Sequence, residues 1–387
     1  MKTSSIIAIA LAAFVGVLGA TELSKWLEHR AATNTTYSVP HELLATNVDY
    51  QPVSGGPTDF RAAAKKALPS VVAIDRFEEV QRFWDRDTTI EETGSGSGVI
   101  IASDGTIVTN NHVVTGAREV RVRLADHRTF TAEVVGTDPT SDLAVIRVKA
   151  DGLTPIEMGD SDKLDVGQWV LAIGNPLGFE GTLSAGIVSN KSRSLGTQAS
   201  LLINAIQTDA PINPGNSGGA LTDADGRLIG INAAIGTNTG GNIGIGFAIP
   251  VNRVKRVARE IIETGHAHNP YVGLYLNPRM EDWLGTSSDR DRLARTIGVD
   301  TSVVPSHGYL LYSGSPDPVA PGSPADRAGV RPLDVLLAVD GKPVNDRIDY
   351  FTALDGKRPG DTLQLKFWSK GSVKTVNVTL TEEPVNS

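Results

Sequence analysis

Three residues along this chain have the types and contexts needed for nucleophilic catalysis. Ser217 lies in "INPGNSGGAL", residues 212–221, where glycine, proline and asparagine favour a tight turn. A serine hydroxyl is a poor nucleophile unless a base removes its proton and N–H groups stabilise the charge that develops on the substrate. His112 ends a β-rich run in "IVTNNHVVTGA", where a rigid strand would hold a base that stays accessible. Asp142 opens "SDLAVIRV", and a carboxylate in front of a buried strand needs a partner such as a histidine N–H.

The other chemical patterns in the sequence are weaker. His127 lies in a polar, hairpin-like stretch, and the other histidines lie in linkers or in an insertion: His29, His41, His266, His268 and His307. "HAH", residues 266–268, has no acidic ligand or third histidine close to it along the chain, so no metal site is predicted. The glycines of "GSGSG" and "GIG" are followed by neither a phosphate-binding lysine nor a helix, which excludes a nucleotide site. No cofactor is predicted.

Composition excludes several classes of protein. The chain has 387 residues, 40% hydrophobic and 21% charged, which is ordinary for a globular protein and long enough for two or three domains. A formal net charge of -8 gives no basis for nucleic-acid binding. The absence of cysteine removes disulfides, thiolate metal sites and cysteine nucleophiles.

The N-terminus carries an apolar run, Ile6–Ala20, preceded by Lys2. Its length suits the core of a signal peptide and is short for a membrane span, although uncharged neighbours bring it close to a thin span. Because Leu18 makes a poor cleavage site, we favour an uncleaved signal anchor over residues 1–23 rather than a cleaved signal peptide. Residues 24–57 are polar, contain proline and glycine, and are predicted to form a flexible tether.

The rest of the chain divides into two predicted units. Residues 58–265 contain many short runs rich in Val and Ile, separated by Gly, Asn and Asp, which predict an all-β sandwich or a pair of barrels. A helix over "PVNRVKRVAREIIETG" follows and stops at its glycine. Residues 266–270 are a predicted linker, and residues 271–382 form the second unit. Within that unit, residues 280–312 are a polar insertion without a predicted structure.

Five motifs together resemble one protein family. "TNNHVV", "SDLAVIRV", "AIGNPLG", "QTDAPINPGNSGGAL" and "IGFAIP" occur in the order found in the HtrA (DegP/DegS-like) serine proteases, over roughly residues 60–382. The resemblance implies a mostly β fold, in which a trypsin-like double six-stranded β-barrel is followed by one PDZ domain. It implies that His112 is the general base, Asp142 its orienting acid and Ser217 the nucleophile. The expected oxyanion-hole donors are Gly215, Asn216 and Ser217.

Two positions distinguish the chain from digestive trypsin-like enzymes. Those enzymes carry an aspartate at the position of Asn216, which pairs with a newly cut N-terminus, and asparagine cannot form that ion pair. Activation is therefore predicted to need no free N-terminus. Pro211 stands where trypsin carries the acid that selects Lys or Arg, so cleavage is predicted after small or medium apolar residues. The expected substrate-binding residues are Ile212, Ala233, Ala234 and Ile235.

The C-terminal unit resembles a single PDZ domain. "YVGLYL" matches the loop that binds a terminal carboxylate while the peptide adds as a β-strand. Its expected peptide-binding residues are Val272, Gly273, Leu274, Tyr275 and Leu276. Leu333 departs from the family because that position is usually glycine. Arg193, in "SNKSRSLG", matches an arginine through which membrane-anchored members couple peptide binding to their protease loops.

The predicted anchor and the single PDZ domain resemble the regulated, DegS-like branch of the family. The resemblance implies a homotrimer in the periplasm or cell envelope, anchored to the inner membrane, with Phe60 and Phe77 as candidate trimer contacts. Expected partners are unfolded or regulatory protein substrates and C-terminal peptides, in protein quality control or envelope stress signalling. The alternative is a catalytically silent PDZ adaptor or chaperone.

Overall fold

The computed structural model describes residues 59–81, 88–175, 181–196, 201–213, 215–233, 244–312 and 317–384. The predicted anchor and tether, and also Ala234 and Ile235, lie outside the described residues. Within the described part, no helix is both long and apolar enough to cross a membrane.

The first barrel follows a short helix, α1 (Arg61–Ala67), and consists of six antiparallel strands. The strands are β1 Val71–Gln81, β2 Thr88–Ile100, β3 Thr106–Thr109, β4 Glu119–Arg123, β5 Thr129–Asp138 and β6 Leu143–Arg147. They pair in the order β1–β2–β3–β6–β5–β4 and close on themselves. Aliphatic side chains such as Ile74, Ile107 and Ile146 fill the interior. A single helical turn, α2 (Asn111–Val114), follows β3.

The second barrel repeats this plan. Its strands are β7 Trp169–Gly174, β8 Thr182–Gly196, β9 Leu201–Thr208, β10 Ala220–Asp223, β11 Leu228–Ala233 and β12 Gly246–Pro250. They close in the order β10–β11–β12–β9–β8–β7. The predicted double six-stranded barrel is therefore confirmed, and closure leaves neither sheet with an unpaired edge.

Helix α3 (Val251–Thr264) joins the two barrels. It contacts β5 and β6 of the first barrel and β11 and β12 of the second. Its apolar face is buried, and burying each aliphatic side chain contributes about 1.5–3 kcal/mol. The members of that face are Val251, Val254, Val257 and Ile261. Gly265 ends the helix in the left-handed conformation, with φ 86°, as the sequence predicts.

The C-terminal unit is a small β-domain. Strand β13 (Pro270–Tyr271) pairs with the last strand, β19 (Thr381–Glu382). The main sheet consists of β14 Tyr309–Leu310, β15 Val335–Val339, β16 Lys342–Pro343, β17 Thr362–Ser369 and β18 Ser372–Thr379. Two helices accompany the sheet, α5 (Pro324–Arg327) and α6 (Arg347–Leu354).

The segment 280–312, for which the sequence predicts no structure, contains a helix. Helix α4 (Ser287–Ile297) begins where Thr286 Oγ1 accepts a hydrogen bond from the Asp289 amide. Met280, Leu284 and Leu293 are buried in the same core as the strands of the C-terminal unit. The polar composition of the segment therefore belongs to its outer surface, while its spaced apolar residues enlarge the domain core.

Candidate active site

The structure brings His112 and Asp142 into direct contact. His112 Nδ1 lies 2.8 Å from Asp142 Oδ2 and 3.0 Å from Oδ1. The His112 backbone N–H also donates to Asp142 Oδ1 at 3.0 Å. The carboxylate thus fixes the imidazole through Nδ1, which leaves Nε2 as the nitrogen that can accept a proton. Because the His112 side chain is 46% exposed, a substrate can reach it.

Asp142 is held by its own backbone as well. It has φ 54°, in the left-handed region that asparagine and aspartate tolerate better than most residues. Its carbonyl accepts hydrogen bonds from the Asn111 amide at 3.1 Å and from the Asn110 side chain at 3.0 Å. The turn before β6 is thereby tied to the end of β3, and the acid and the base are positioned as one unit.

Ser217 belongs to the second barrel, and its turn lies against the segment that carries His112. The Ser97 amide donates to the Ser217 carbonyl at 2.8 Å. A Cβ atom at Gly218 would lie 2.2 Å from Ser97 O, 2.3 Å from Thr109 Oγ1 and 3.1 Å from the Asn110 amide nitrogen. Only glycine fits there, and its φ of 80° also favours glycine. The close approach places Ser217 next to the strand end that leads to His112.

Ser97 is a residue that sequence reasoning missed. It is fully buried, and its Oγ donates to Gly215 O at 2.6 Å while accepting from the Asn175 amide at 2.8 Å. Its own carbonyl accepts from Thr109 Oγ1 at 2.6 Å. Ser97 thus connects both barrels at the turn of the candidate nucleophile. The available signal is a serine within a glycine-rich strand, in the "GSGSG" stretch, whose glycines do not have the pattern of a nucleotide site.

The three expected oxyanion donors differ in their hydrogen bonds. The Asn216 amide donates to Asn213 O at 2.9 Å and is therefore occupied. The amides of Gly215 and Ser217 have no acceptor among the residues that the structure describes. An oxyanion needs donors that are free and pointed in advance at the developing charge. Of the three predicted donors, Gly215 and Ser217 meet the first of these conditions.

Comparisons with known proteins bear on this arrangement. Residues 96–231 match the trypsin-like peptidase domain family, and residues 296–380 match the PDZ domain family. A protein described as a probable periplasmic serine endoprotease DegP-like, from Pseudomonas fulva, is 38% identical over 354 residues, which are 91% of this chain and 68% of that protein. The solved structure of the HtrA-type protease AlgW with decapeptide is 32% identical, with a TM-score of 0.64, and the match covers 85% of this chain and 100% of that one.

The chain belongs to the HtrA-type serine protease family.

A second relative with the same description, from a Marinomonas species, is 38% identical over 294 residues, which are 76% of this chain and 58% of that protein. The chain thus spans 58% and 68% of the lengths of these two HtrA-type relatives. The solved serine endoprotease from Yersinia pestis is 31% identical, with a TM-score of 0.57, and the match covers 85% of this chain and 100% of that one.

The predicted substrate pocket is described in part. Ile212 and Ala233 are both buried, and Ile212 lies so close to Gly246 that a Cβ there would be 2.9 Å from its Cδ1. Asp209 Oδ1 accepts the Ile187 amide at 2.7 Å. That bond ties Asp209 to strand β8, so its carboxylate has a structural partner within the barrel. The two remaining predicted residues, at 234 and 235, lie outside the described part.

In the PDZ domain, the predicted carboxylate loop runs beside residues 318–320. The Tyr275 amide donates to Pro318 O at 2.9 Å, and Gly273 O accepts from the Ala320 amide at 2.9 Å. The amides of Gly273, Leu274 and Leu276 have no acceptor among the described residues.

The side chains of the loop differ in exposure. Val272 and Leu274 are buried, Leu276 is half-buried and Tyr275 is exposed. The loop therefore combines unoccupied N–H groups with an apolar lining, as a site for an extended peptide requires.

Arg193 lies in β8 with an exposed side chain. Its neighbour Ser194 contacts Thr352 of the PDZ helix α6, with the two hydroxyl oxygens 3.1 Å apart. Asn204, on the adjacent strand β9, donates to Asp355 at the end of α6 at 2.6 Å. The strand that carries the predicted regulatory arginine and its neighbour β9 are thus in direct contact with the PDZ domain.

The predicted trimer residues have partners within the chain. The Phe60 ring lies 5.5 Å from the Trp169 ring, and the Arg121 guanidinium lies 4.2 Å above the Phe77 ring.

Proposed function

We propose that this protein is a serine endopeptidase that works through an acyl-enzyme. His112 Nε2 accepts the proton of Ser217 Oγ, and the hydroxyl oxygen attacks the scissile carbonyl. Asp142 stabilises the imidazolium, and the Gly215 and Ser217 amides stabilise the oxyanion. His112 then protonates the leaving amine, and water releases the acyl group by the reverse sequence. The contact of 2.8 Å between His112 and Asp142, beside the Ser217 turn, is the observation that carries the proposal.

Replacement of the nucleophile tests the proposal. Ser217→Ala should abolish cleavage of casein, because the residual rate without a triad is about 10⁶-fold below that of an intact enzyme. It should also abolish covalent labelling by a fluorophosphonate. Ser372→Ala, at an exposed serine of the PDZ hairpin, is the matched control and should retain both activities. Labelling that persists in Ser217→Ala would contradict the assignment of the nucleophile.

A catalytically silent adaptor or chaperone is the alternative function. It requires that wild-type protein neither cleaves nor is labelled, while PDZ peptides still bind. The contact between His112 and Asp142 favours the enzyme, because an adaptor has no use for an imidazole oriented by a carboxylate.

Cleavage after small or medium apolar residues is the proposed specificity. It is supported by the buried Ile212 and Ala233 and by Asp209, whose carboxylate caps the Ile187 amide. Such a pocket offers no counter-charge to a lysine or arginine side chain. Profiling with a peptide library should show preference for Val, Ala or Leu on the acyl side of the cleaved bond. A preference for Lys or Arg would refute this specificity.

Regulation by C-terminal peptides is proposed for the PDZ domain. The unoccupied amides of Gly273, Leu274 and Leu276 support carboxylate binding, and AlgW was solved with a decapeptide. The contact of α6 with β8 and β9 gives bound peptide a route to Arg193. Arg193→Ala should lower peptide-stimulated cleavage more than basal cleavage. Lys191→Ala, which removes an exposed cation two residues away, is the control. If Arg193→Ala lowers basal and peptide-stimulated cleavage equally, the regulatory role is excluded.

Activation without a new N-terminus is proposed from Asn216. Its side chain is buried against Gly174, so that a Cβ there would lie 2.3 Å from Asn216 Oδ1. Because asparagine cannot form an ion pair with a new N-terminus, protein carrying an N-terminal fusion should cleave as well as protein without one. Inactivity of the fusion that is relieved by proteolytic removal of the extension would contradict the proposal.

The cellular setting is also a proposal. The relatives are described as periplasmic, which supports a place in the cell envelope and a role in protein quality control or stress signalling. An inner-membrane anchor, a homotrimer, and unfolded or regulatory protein substrates complete the DegS-like proposal. Membrane fractionation and sedimentation of the full chain test the anchor and the trimer.

A further inference from the structure

Two histidines of the linker and one glutamate of the last strand meet at the joint between the barrels and the PDZ domain. His266 Nε2 lies 2.9 Å from Glu382 Oε1, and His268 Nδ1 lies 2.6 Å from the same oxygen. One ligand atom from each of the three residues lies within 4.8 Å of the others. The sequence shows no acidic residue near "HAH", because Glu382 is 114 residues further along the chain. The pairing of β13 with β19 brings it there.

Thr264, at the end of α3, binds the outer nitrogen of both rings. His266 Nδ1 lies 3.2 Å from the Thr264 carbonyl oxygen, and His268 Nε2 lies 3.3 Å from Thr264 Oγ1. A carbonyl oxygen only accepts hydrogen bonds, so His266 Nδ1 carries its proton and a neutral ring has its lone pair on Nε2. That lone pair faces Glu382, whose ionised carboxylate also only accepts.

A metal ion between the inner nitrogens and the carboxylate would satisfy this arrangement. Metal-binding histidines in proteins donate their other N–H to a carbonyl, carboxylate or water, which fixes the tautomer and the ring orientation. The Thr264 carbonyl does this for His266, and the Thr264 hydroxyl can do it for His268. Protons on the inner nitrogens would satisfy the same geometry. The experiment must therefore distinguish a bound metal ion from protonated imidazoles.

We propose that His266, His268 and Glu382 form a Zn²⁺ site that fastens the interdomain linker to the C-terminal strand. Two imidazoles and a carboxylate are a frequent three-ligand set for zinc, with water in the fourth position. Mg²⁺ and Ca²⁺ prefer sets made of oxygen ligands. Bonds of about 2.0–2.2 Å in a tetrahedron separate the ligand atoms by roughly 3.4 Å. The Glu382 oxygen must therefore move away from the two nitrogens by roughly 0.5 to 0.8 Å, and its exposed side chain has room to do so.

The proposed Zn²⁺ site would stabilise the connection between the barrels and the PDZ domain and would take no part in peptide hydrolysis. His266 and His268 follow α3, which is bound to both barrels, while Glu382 belongs to the PDZ domain. Zn²⁺ binding would thus add a link between the barrels and the PDZ domain, and it would stabilise the assembled chain according to its affinity and concentration.

Zinc titration of the full chain tests the proposal. The Ser217→Ala background prevents self-cleavage, and calorimetry with ZnCl₂ should detect a site that is absent from His268→Gln and from Glu382→Gln. We expect each substitution to weaken Zn²⁺ binding by about 100-fold or more, and Thr264→Val by about 10-fold because it removes only an outer contact. Co²⁺ should give the visible absorption of a tetrahedral complex, and Mg²⁺ and Ca²⁺ should not compete.

The controls are His127→Gln and His307→Gln, which remove exposed histidines elsewhere in the chain. Both should bind Zn²⁺ as the parent does, and metal-free unfolding temperatures identify any variant that has lost its fold. Equal Zn²⁺ binding by the parent and by folded His268→Gln would overturn the proposal and leave a protonated His–Glu cluster. An equal loss of binding in His127→Gln would overturn it as well.

Discussion

Two contacts hold the described domains together, and they differ in kind. One joins the first barrel to the second, and the other joins the barrels to the PDZ domain. Between the barrels, the completely buried Ser97 donates to the Ser217 carbonyl through its amide and to the Gly215 carbonyl through its hydroxyl. Between the barrels and the PDZ domain, Asp355 accepts from Arg253 at 2.7 Å and from Asn204 at 2.6 Å, through partly exposed side chains.

The two contacts differ in how easily their hydrogen bonds can rearrange. Buried backbone contacts cannot exchange partners without leaving polar groups unsatisfied, and each such group costs about 1–3 kcal/mol. Polar side chains that stay partly exposed can exchange partners for water at lower cost. The candidate catalytic groups thus lie at the fully buried contact, and the contact with the PDZ domain is made by side chains that are only partly buried.

The largest effect should come from adding one carbon atom at the contact between the barrels. Gly218→Ala would place Cβ 2.2 Å from Ser97 O at a backbone φ of 80°. We expect a loss of about 3 kcal/mol or more in the free energy of unfolding, together with a large fall in activity. Gly152→Ala is the control, since its φ is 72° and no atom of the described residues lies within 4 Å of the new Cβ. It should cost only about 1 kcal/mol. Denaturant unfolding measures both, and similar costs would contradict a tightly packed contact.

Removal of the Ser97 hydroxyl should have the next largest effect. Ser97→Ala leaves Gly215 O and the Asn175 amide without their shared partner. We expect kcat to fall by about 10- to 100-fold, because the Gly215 peptide loses its support while substrate binding is little changed. Ser161→Ala is the control, since its buried hydroxyl accepts the Asn252 amide at 3.2 Å, at the start of helix α3. A loss of stability with unchanged kcat in Ser97→Ala would assign Ser97 a structural role only.

A smaller effect is expected at the contact with the PDZ domain. Burial lowers the pKa of the Arg253 guanidinium, and the Asp355 charge opposes that shift. Asp355→Asn should therefore cost about 1–2 kcal/mol of unfolding free energy. It should also increase hydrogen exchange in β8 and β9 while leaving basal kcat nearly unchanged. Asp361→Asn provides a comparison at a PDZ carboxylate in an exposed turn. A loss of basal activity as large as that of Ser97→Ala would remove the distinction between the two contacts.

The smallest effect should appear at Leu333, where the backbone is also left-handed, with φ 72°. Here a large side chain is tolerated, whereas Gly218 leaves no room for one carbon atom. Leu333→Ala and Leu333→Gly both remove the side chain, but only glycine relieves the conformation. We expect the glycine variant to be more stable than the alanine variant by about 1 kcal/mol, the reverse of the usual order. Thermal unfolding compares the two, and a more stable alanine variant would show that this backbone is unstrained.

The sequence predicts the strands and helices that follow from local patterns, but it does not predict residues whose partners lie far away along the chain. The spacing of the β-rich runs and the family motifs predicted both barrels, and the helix ending at Gly265 followed from its own pattern. Ser97 was missed because its partner Gly215 is 118 residues away. The sequence predicts no metal site at the linker histidines, because their neighbours along the chain offer no carboxylate. The composition of segment 280–312 is polar and predicts no structure, because the core that its few apolar residues enter is made by strands elsewhere in the chain.

Helix α3 has a consequence for the order in which the protein becomes active. It touches both barrels, and it follows every member of the proposed triad along the chain. A polypeptide emerging N-terminus first would therefore carry the base, the acid and the nucleophile before the element that joins the barrels is available. The chain would be spared from digesting itself, or its neighbours, while it is still being made.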